Sequence, residues 1–175
     1  LLNHFTQIAD NTSMPVILYN IPGRSVVNLD IETISKLANQ NKNIVGIKDA
    51  SGDINIVKNI KSSCDPNFII LSGEDSLNLS ILEEGGSGFI SVTSNLIPEK
   101  CSDLFNSYIN KDFTTAKEIN NEISKLNKLL FTDTNPIPIK YAMSQLGLCE
   151  NILRLPLTNL SEIKCKELLA ELKNM

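Results

Sequence analysis

The chain has 175 residues, 42% of them hydrophobic, with 20 acidic against 16 basic side chains, enough for a domain of ordinary size with its own core and too apolar for a disordered segment. A formal net charge of -4, no Trp and only three Tyr leave neither excess positive charge for a phosphate backbone nor stacking surface for single strands, which excludes nucleic acid as a partner. Apolar runs such as Val16–Tyr19 and Phe68–Leu71 fall far below the roughly 20 residues needed to cross a bilayer, so no membrane partner is expected.

The opening residues Leu1, Leu2, Phe5, Ile8 and Ala9 share one face at helical spacing, and the sequence is expected to open inside an amphipathic helix whose partners lie upstream. No charged segment or cleavage-site pattern precedes them, so a secretory signal is not predicted. Cys64, Cys101, Cys149 and Cys165 form no C-x-x-C pair, which points away from a zinc ribbon or dithiol motif and towards a reducing, cytoplasmic compartment.

Four continuously apolar runs follow: Val16–Asn20, Ile44–Lys48, Phe68–Ser72 and Gly88–Val92. Continuous apolarity predicts strands buried on both faces of a parallel sheet, and parallel strands require helical crossovers. The intervals supply them. Ile31, Ile34, Leu37 and Ala38 follow a capping Asp30; Ile54, Val57 and Ile60 follow Asp53; Asp75 opens Leu77–Leu82, which Gly85-Gly86 ends in a left-handed stop. Beyond Val92 the reading is helical: Pro98 to about Asn110, Thr114–Phe131, an interruption at Asn135-Pro136-Ile137-Pro138, Ile139–Leu146 stopped by Gly147, and Ser161–Lys173.

Four βα units suit either an open doubly wound sheet or part of a closed (β/α)8 barrel, for which a whole chain runs to about 250 residues. The domain expectation is a half-barrel over residues 1–97, followed over 98–175 by the last barrel helix and a helical extension. In either architecture functional groups gather at the carboxyl ends of the strands. Those ends read Tyr19-Asn20-Ile21-Pro22-Gly23-Arg24, Lys48-Asp49-Ala50, Ser72-Gly73-Glu74-Asp75 and Ser91-Val92-Thr93, all on one rim.

Lys48 ends an apolar strand, where lost hydration would lower its pKa and leave a fraction of free amine able to attack a ketone and form a Schiff base. Tyr19, one strand away, offers a phenol for proton transfer. The bland readings are a snorkelling lysine, a core tyrosine with its hydroxyl at the edge, and a turn-decorating arginine. Arg24 could instead offer a guanidinium fork to a substrate carboxylate. Gly73 marks either a tight strand exit or the approach of a ligand, and Glu74 and Asp75 read as helix-capping carboxylates. Several motifs fail: Gly85-Gly86-Ser87-Gly88 precedes a strand and is no nucleophile elbow, His4 is the sole histidine, and no phosphate-binding glycine motif is present.

Tyr19-Asn20-Ile21-Pro22-x-x-Ser25, Leu29 and Ile44-Val45-Gly46-Ile47-Lys48-Asp49-Ala50 resemble, in order and spacing, the signature of the dihydrodipicolinate synthase and N-acetylneuraminate lyase superfamily. Leu71–Asp75, Gly86–Val92 and Asn135–Lys140 resemble its later blocks, so the similarity covers essentially the whole chain. The resemblance implies the C-terminal half of a (β/α)8 barrel with added helices. In it Lys48 is the Schiff-base lysine for pyruvate, Tyr19 the proton-relay tyrosine, and the backbone at Gly73 and Ile90 part of the pyruvate pocket. Arg24 in the Asn-x-Pro-x-Arg pattern favours the synthases, where it takes the carboxylate of aspartate semialdehyde, over sialic-acid or keto-deoxy-sugar-acid lyases.

The resemblance implies no metal or organic cofactor and a homo-oligomer. The superfamily's Gly-Thr-Thr-Gly-Glu segment and second relay tyrosine are absent from these residues, which predicts little turnover by the 175 residues alone. A pyruvate lyase with another acceptor and a non-catalytic half-barrel that assembles through its sheet edges remain the alternatives at this stage.

Overall fold

The computed structural model describes residues 1–174; Met175 lies outside the described residues. Contacts divide the chain into two compact units, Leu1–Ile90 and the residues from Ser91 onward.

The first unit runs α1 (Leu2–Asp10), β1 (Val16–Asn20), α2 (Pro22–Ser25), α3 (Ile31–Gln40), β2 (Ile44–Asp49), α4 (Asn55–Ser63), β3 (Ile69–Ser72), α5 (Asn78–Glu83) and β4 (Gly88–Phe89). The strands are all parallel and lie in chain order, β1-β2-β3-β4. A doubly wound sheet reverses its order at a switch point, whereas a strand order that only advances is the winding of a (β/α) barrel.

The helices share one side of this sheet. Leu18, Ile47 and Ile70, at matching register on β1, β2 and β3, form one core with Ala9 from α1 and with Ile34, Leu37, Val57, Ile60 and Ile81 from the three crossover helices α3, α4 and α5. The opposite face differs from the expectation of strands buried on both sides. β1 alternates instead, with Ile17 42% and Tyr19 46% exposed. The apolar run reads as doubly buried because that face is lined with aliphatic side chains, yet helices cover only the other one.

The helix signals act largely as read. The Asp30 side chain accepts a 2.7 Å hydrogen bond from the Thr33 amide, which caps α3 and holds the Asp30 carboxyl below its ordinary range. Asp53 accepts from the Asn55 amide at 2.9 Å, at the start of α4. The segment opened by Asp75 begins as a 3-10 turn over Asp75–Leu77 before α5, and Gly85 ends it at φ +90°.

Two boundaries differ. The fourth strand is two residues long rather than five: Phe89 pairs with Ser72, the Ile90 amide still donates to the Ser72 carbonyl at 2.9 Å, and the chain then turns into a 3-10 turn over Thr93–Asn95. Val92, read as strand, packs instead against the core of the second unit. The helix after Asn135 starts at Ile137, because Pro138 sits in its first turn, where its missing N–H costs nothing.

The second unit is helical: α6 (Pro98–Ile109), α7 (Phe113–Leu129), α8 (Ile137–Gln145) and α9 (Glu162–Leu172). Leu126, Leu130, Ile139, Ala142, Leu160 and Leu168 form its core. Lys164 and Asp133 form an ion pair at 2.6 Å, and Lys125 reaches Glu171 at 2.5 Å. Among the described residues no helix is long and apolar enough to cross a membrane.

Candidate active site at the carboxyl rim of the sheet

The register places Tyr19 on β1 opposite Lys48 on β2, and Lys48 opposite Leu71 on β3. Because side chains alternate along a strand, Tyr19 and Lys48 point to the face opposite the helix-covered core. There the Lys48 Nζ lies 4.3 Å from the centroid of the Tyr19 ring. Such a cation–π contact at a partly exposed site contributes about 0.5–1 kcal/mol, enough to bias the lysine towards the ring and too little to immobilise it.

Gly73 completes the group. Its amide donates to the Asp49 carbonyl at 2.7 Å, so the backbone passes close to the end of β2. A Cβ at this position would stand 2.8 Å from Lys48 Cε and 3.0 Å from the Ala50 Cβ. Gly73 therefore leaves the space in which the lysine side chain lies, a reason for glycine more specific than a tight strand exit.

The rim is continued by backbone bonds that step across the sheet. Ala50 N donates to the Asn20 carbonyl at 2.8 Å, Gly73 N to Asp49, and Ile90 N to Ser72. Ile90, 51% exposed, is thereby fixed at the end of the fourth strand on the same rim. Tyr19, Lys48 and Gly73 are brought into contact. Arg24 stands apart, exposed on α2, the single turn that follows β1. Among the described residues no side chain hydrogen-bonds or ion-pairs with its guanidinium, which is open to solvent.

The next residue on each of the first two strands carries a network that sequence reading left without a role. Asn20 is 1% and Asp49 6% exposed, and they are register partners on the helix side of the sheet. Asn20 Nδ2 donates to Asp49 Oδ2 at 2.8 Å and to Asn28 Oδ1 at 2.9 Å, while Asn20 Oδ1 accepts from the Leu29 amide at 3.0 Å. Asp49 Oδ1 accepts from the Ser51 hydroxyl at 2.6 Å and the Ser51 amide at 3.0 Å. A polar residue directly after each site residue, on two strands that align, was the available signal. Among the described residues no group of three or more His, Cys, Asp or Glu is gathered in a way that could hold a metal ion.

Four parallel βα units wound in one direction, with a lysine and a tyrosine side by side at their carboxyl rim, define part of a (β/α)-barrel scaffold. The chain belongs to the dihydrodipicolinate synthetase family, whose pattern it matches over residues 1–175. It is 48% identical over 162 residues to the 4-hydroxy-tetrahydrodipicolinate synthase of Leptospira biflexa, covering 93% of this chain and 55% of that protein. The crystal structure of dihydrodipicolinate synthase from Aquifex aeolicus superposes with a TM-score of 0.97 at 38% identity, over 99% of this chain and 59% of that one. The Acinetobacter baumannii dihydrodipicolinate synthase, solved in complex with pyruvate, superposes at 0.94 and 39% identity over 99% and 59%. The chain thus spans 55–59% of the length of these relatives.

Proposed function

We propose that this chain carries the Schiff-base half of a 4-hydroxy-tetrahydrodipicolinate synthase site, with pyruvate as the first substrate and aspartate semialdehyde as the second. The observation that supports it most is the Lys48 Nζ beside the Tyr19 ring, with Gly73 leaving room for the lysine, in a chain of this family.

The chemistry follows from those groups. The Lys48 amine attacks the ketone carbon of pyruvate, and loss of water gives an imine. Loss of a methyl proton from that imine gives an enamine, whose carbon attacks the aldehyde carbon of aspartate semialdehyde. The resulting alkoxide takes up a proton to become the hydroxyl, the amino group of the aldehyde partner displaces the Lys48 nitrogen, and the ring closes as the lysine is released. The Tyr19 hydroxyl passes protons in these steps. Arg24 receives the carboxylate of the aldehyde substrate through a bidentate fork, and the backbone at Gly73 and Ile90 borders the bound pyruvate. No metal or organic cofactor enters this scheme.

On this reading the 175 residues alone turn over far more slowly than a chain that also carries a Gly-Thr-Thr-Gly-Glu segment for the pyruvate carboxylate, because positioning fails before chemistry begins. β1 and β4 are the outermost strands of the sheet, and homo-oligomerisation belongs to the same proposal; sedimentation reads it directly.

The test is turnover of the full-length protein with pyruvate and aspartate semialdehyde, followed by mass spectrometry of the cyclic product. Product formation that Lys48→Ala abolishes supports the reading. Cleavage of a sialic or keto-deoxy sugar acid, with aspartate semialdehyde inert, would contradict the assigned acceptor.

A further inference from the structure

We infer that Asn20 and Asp49 are positioning residues, a buried clasp that sets Lys48 and Tyr19 at their working separation and couples them to the loop that follows α2. The inference rests on the Schiff-base role proposed for Lys48.

The geometry carries the argument. Asn20 directly follows Tyr19 and Asp49 directly follows Lys48, and the two pairs are register partners on adjacent strands. The clasp and the reactive pair thus occupy opposite faces of the same two-residue step of the sheet. Backbone bonds set the spacing of the parallel strands up to their last residues, where Ala50 N donates to the Asn20 carbonyl and Gly73 N to the Asp49 carbonyl, but they do not fix the side chains there. The 2.8 Å bond from Asn20 Nδ2 to Asp49 Oδ2 closes that end. From the same amide, bonds to Asn28 and Leu29 fasten the segment that returns from α2, the turn bearing Arg24.

Every polar atom of the clasp has a partner: both donor and acceptor atoms of the Asn20 amide, and both oxygens of Asp49. Burial of an amide and a carboxyl in an apolar layer is unfavourable unless each is satisfied, and a stabilising hydrophobic pair of similar size was open to the sequence. The gain must lie in directionality. An aliphatic pair can slide, whereas a network of named donors and acceptors holds one register. A displacement of about 1 Å at a reacting group can lower a rate by about a hundredfold.

The donor and acceptor pattern permits a decisive exchange. Asn20→Asp alone sets two carboxyl groups against each other. Asp49→Asn alone leaves one acceptor where two are needed, so the introduced NH2 faces a donor, either Asn20 Nδ2 or the Ser51 amide. Together, Asn20→Asp with Asp49→Asn restores the set: the introduced carboxylate accepts from position 49, from Leu29 and from a flipped Asn28, and the introduced amide oxygen accepts from Ser51.

The experiment measures the rate of borohydride-trapped pyruvate adduct on the full-length protein and on these three variants, well below each unfolding transition. The expected result is a loss of about tenfold or more in kcat/KM and in trapping rate for each single variant, with recovery to within about threefold in the exchanged pair. If the single variants do not fold, the exchanged pair must fold and trap near the wild-type rate. Folded single variants that trap at the wild-type rate, or an exchanged pair that folds and remains slow, would overturn the clasp while leaving the Schiff-base reading intact. A wild-type protein that forms no adduct overturns both.

Discussion

The Lys48 ammonium sits over the face of the Tyr19 ring, 4.3 Å from its centroid. The tyrosine can therefore act in two separable ways, as a surface against which the lysine rests and as a hydroxyl that moves protons. Tyr19→Phe keeps the first and removes the second. It is expected to slow adduct formation with pyruvate by about tenfold and turnover by about a hundredfold, because further proton transfers follow the imine. Comparison of single-turnover trapping with steady-state rates checks this, and equal losses in both would contradict the separation.

Gly73→Ala places a methyl group where Lys48 Cε now lies, at 2.8 Å, and 3.1 Å from the Asp49 carbonyl oxygen. Lys48 Cε is the nearest atom and belongs to a flexible side chain, so it is the lysine that must move. Trapping of pyruvate should fall by about tenfold or more, with the far-ultraviolet circular dichroism unchanged. Wild-type trapping rates would show that the lysine reacts from another position.

In the proposed scheme Arg24 acts late, on the aldehyde partner. Since its guanidinium is exposed on α2, outside the Lys48 and Tyr19 contact, Arg24→Ala is expected to raise the KM for the aldehyde partner by about tenfold or more with the pyruvate adduct unaffected. Loss of adduct formation to the same degree would remove the carboxylate-fork role.

Val26, the residue after α2, adopts φ +60° and ψ 7° while 90% exposed. A β-branched side chain in the left-handed region is strained by about 1–3 kcal/mol, and here no packing offsets it. Val26→Gly relieves that strain but adds chain entropy of about 0.5–1 kcal/mol in the unfolded state, so a net stabilisation of about 1 kcal/mol is expected in urea unfolding. A destabilised variant would mean that the valine is held by contacts stronger than its strain.

Much of this site was legible in the sequence, for physical reasons that differ by element. The runs ending at Tyr19 and Lys48 announced strands because an apolar stretch of that length between helical periodicities has few other uses, and the register then placed both residues on one rim. Asp30 was readable as a cap because the bond it makes is local, three residues away. Four features were not readable. α2 is a single turn, too short to show a helical period. The open face of β1 depends on what covers the sheet, which apolarity alone does not report. The Asn20–Asp49 clasp joins residues 29 positions apart, and each looks by itself like an ordinary polar residue opening a turn. The short β4 belongs with these, since Ile90 to Val92 carry strand propensity but their backbone is drawn into the turn that enters the second unit.

The central claim is that Lys48, alone among the lysines, is placed to form an imine with pyruvate. Incubation with pyruvate, reduction by borohydride and peptide mass mapping test it most directly. The account predicts a single reduced adduct on the peptide containing Lys48, lost in Lys48→Ala. Label spread over exposed lysines such as Lys58 and Lys61, or concentrated at any one site other than Lys48, would contradict it.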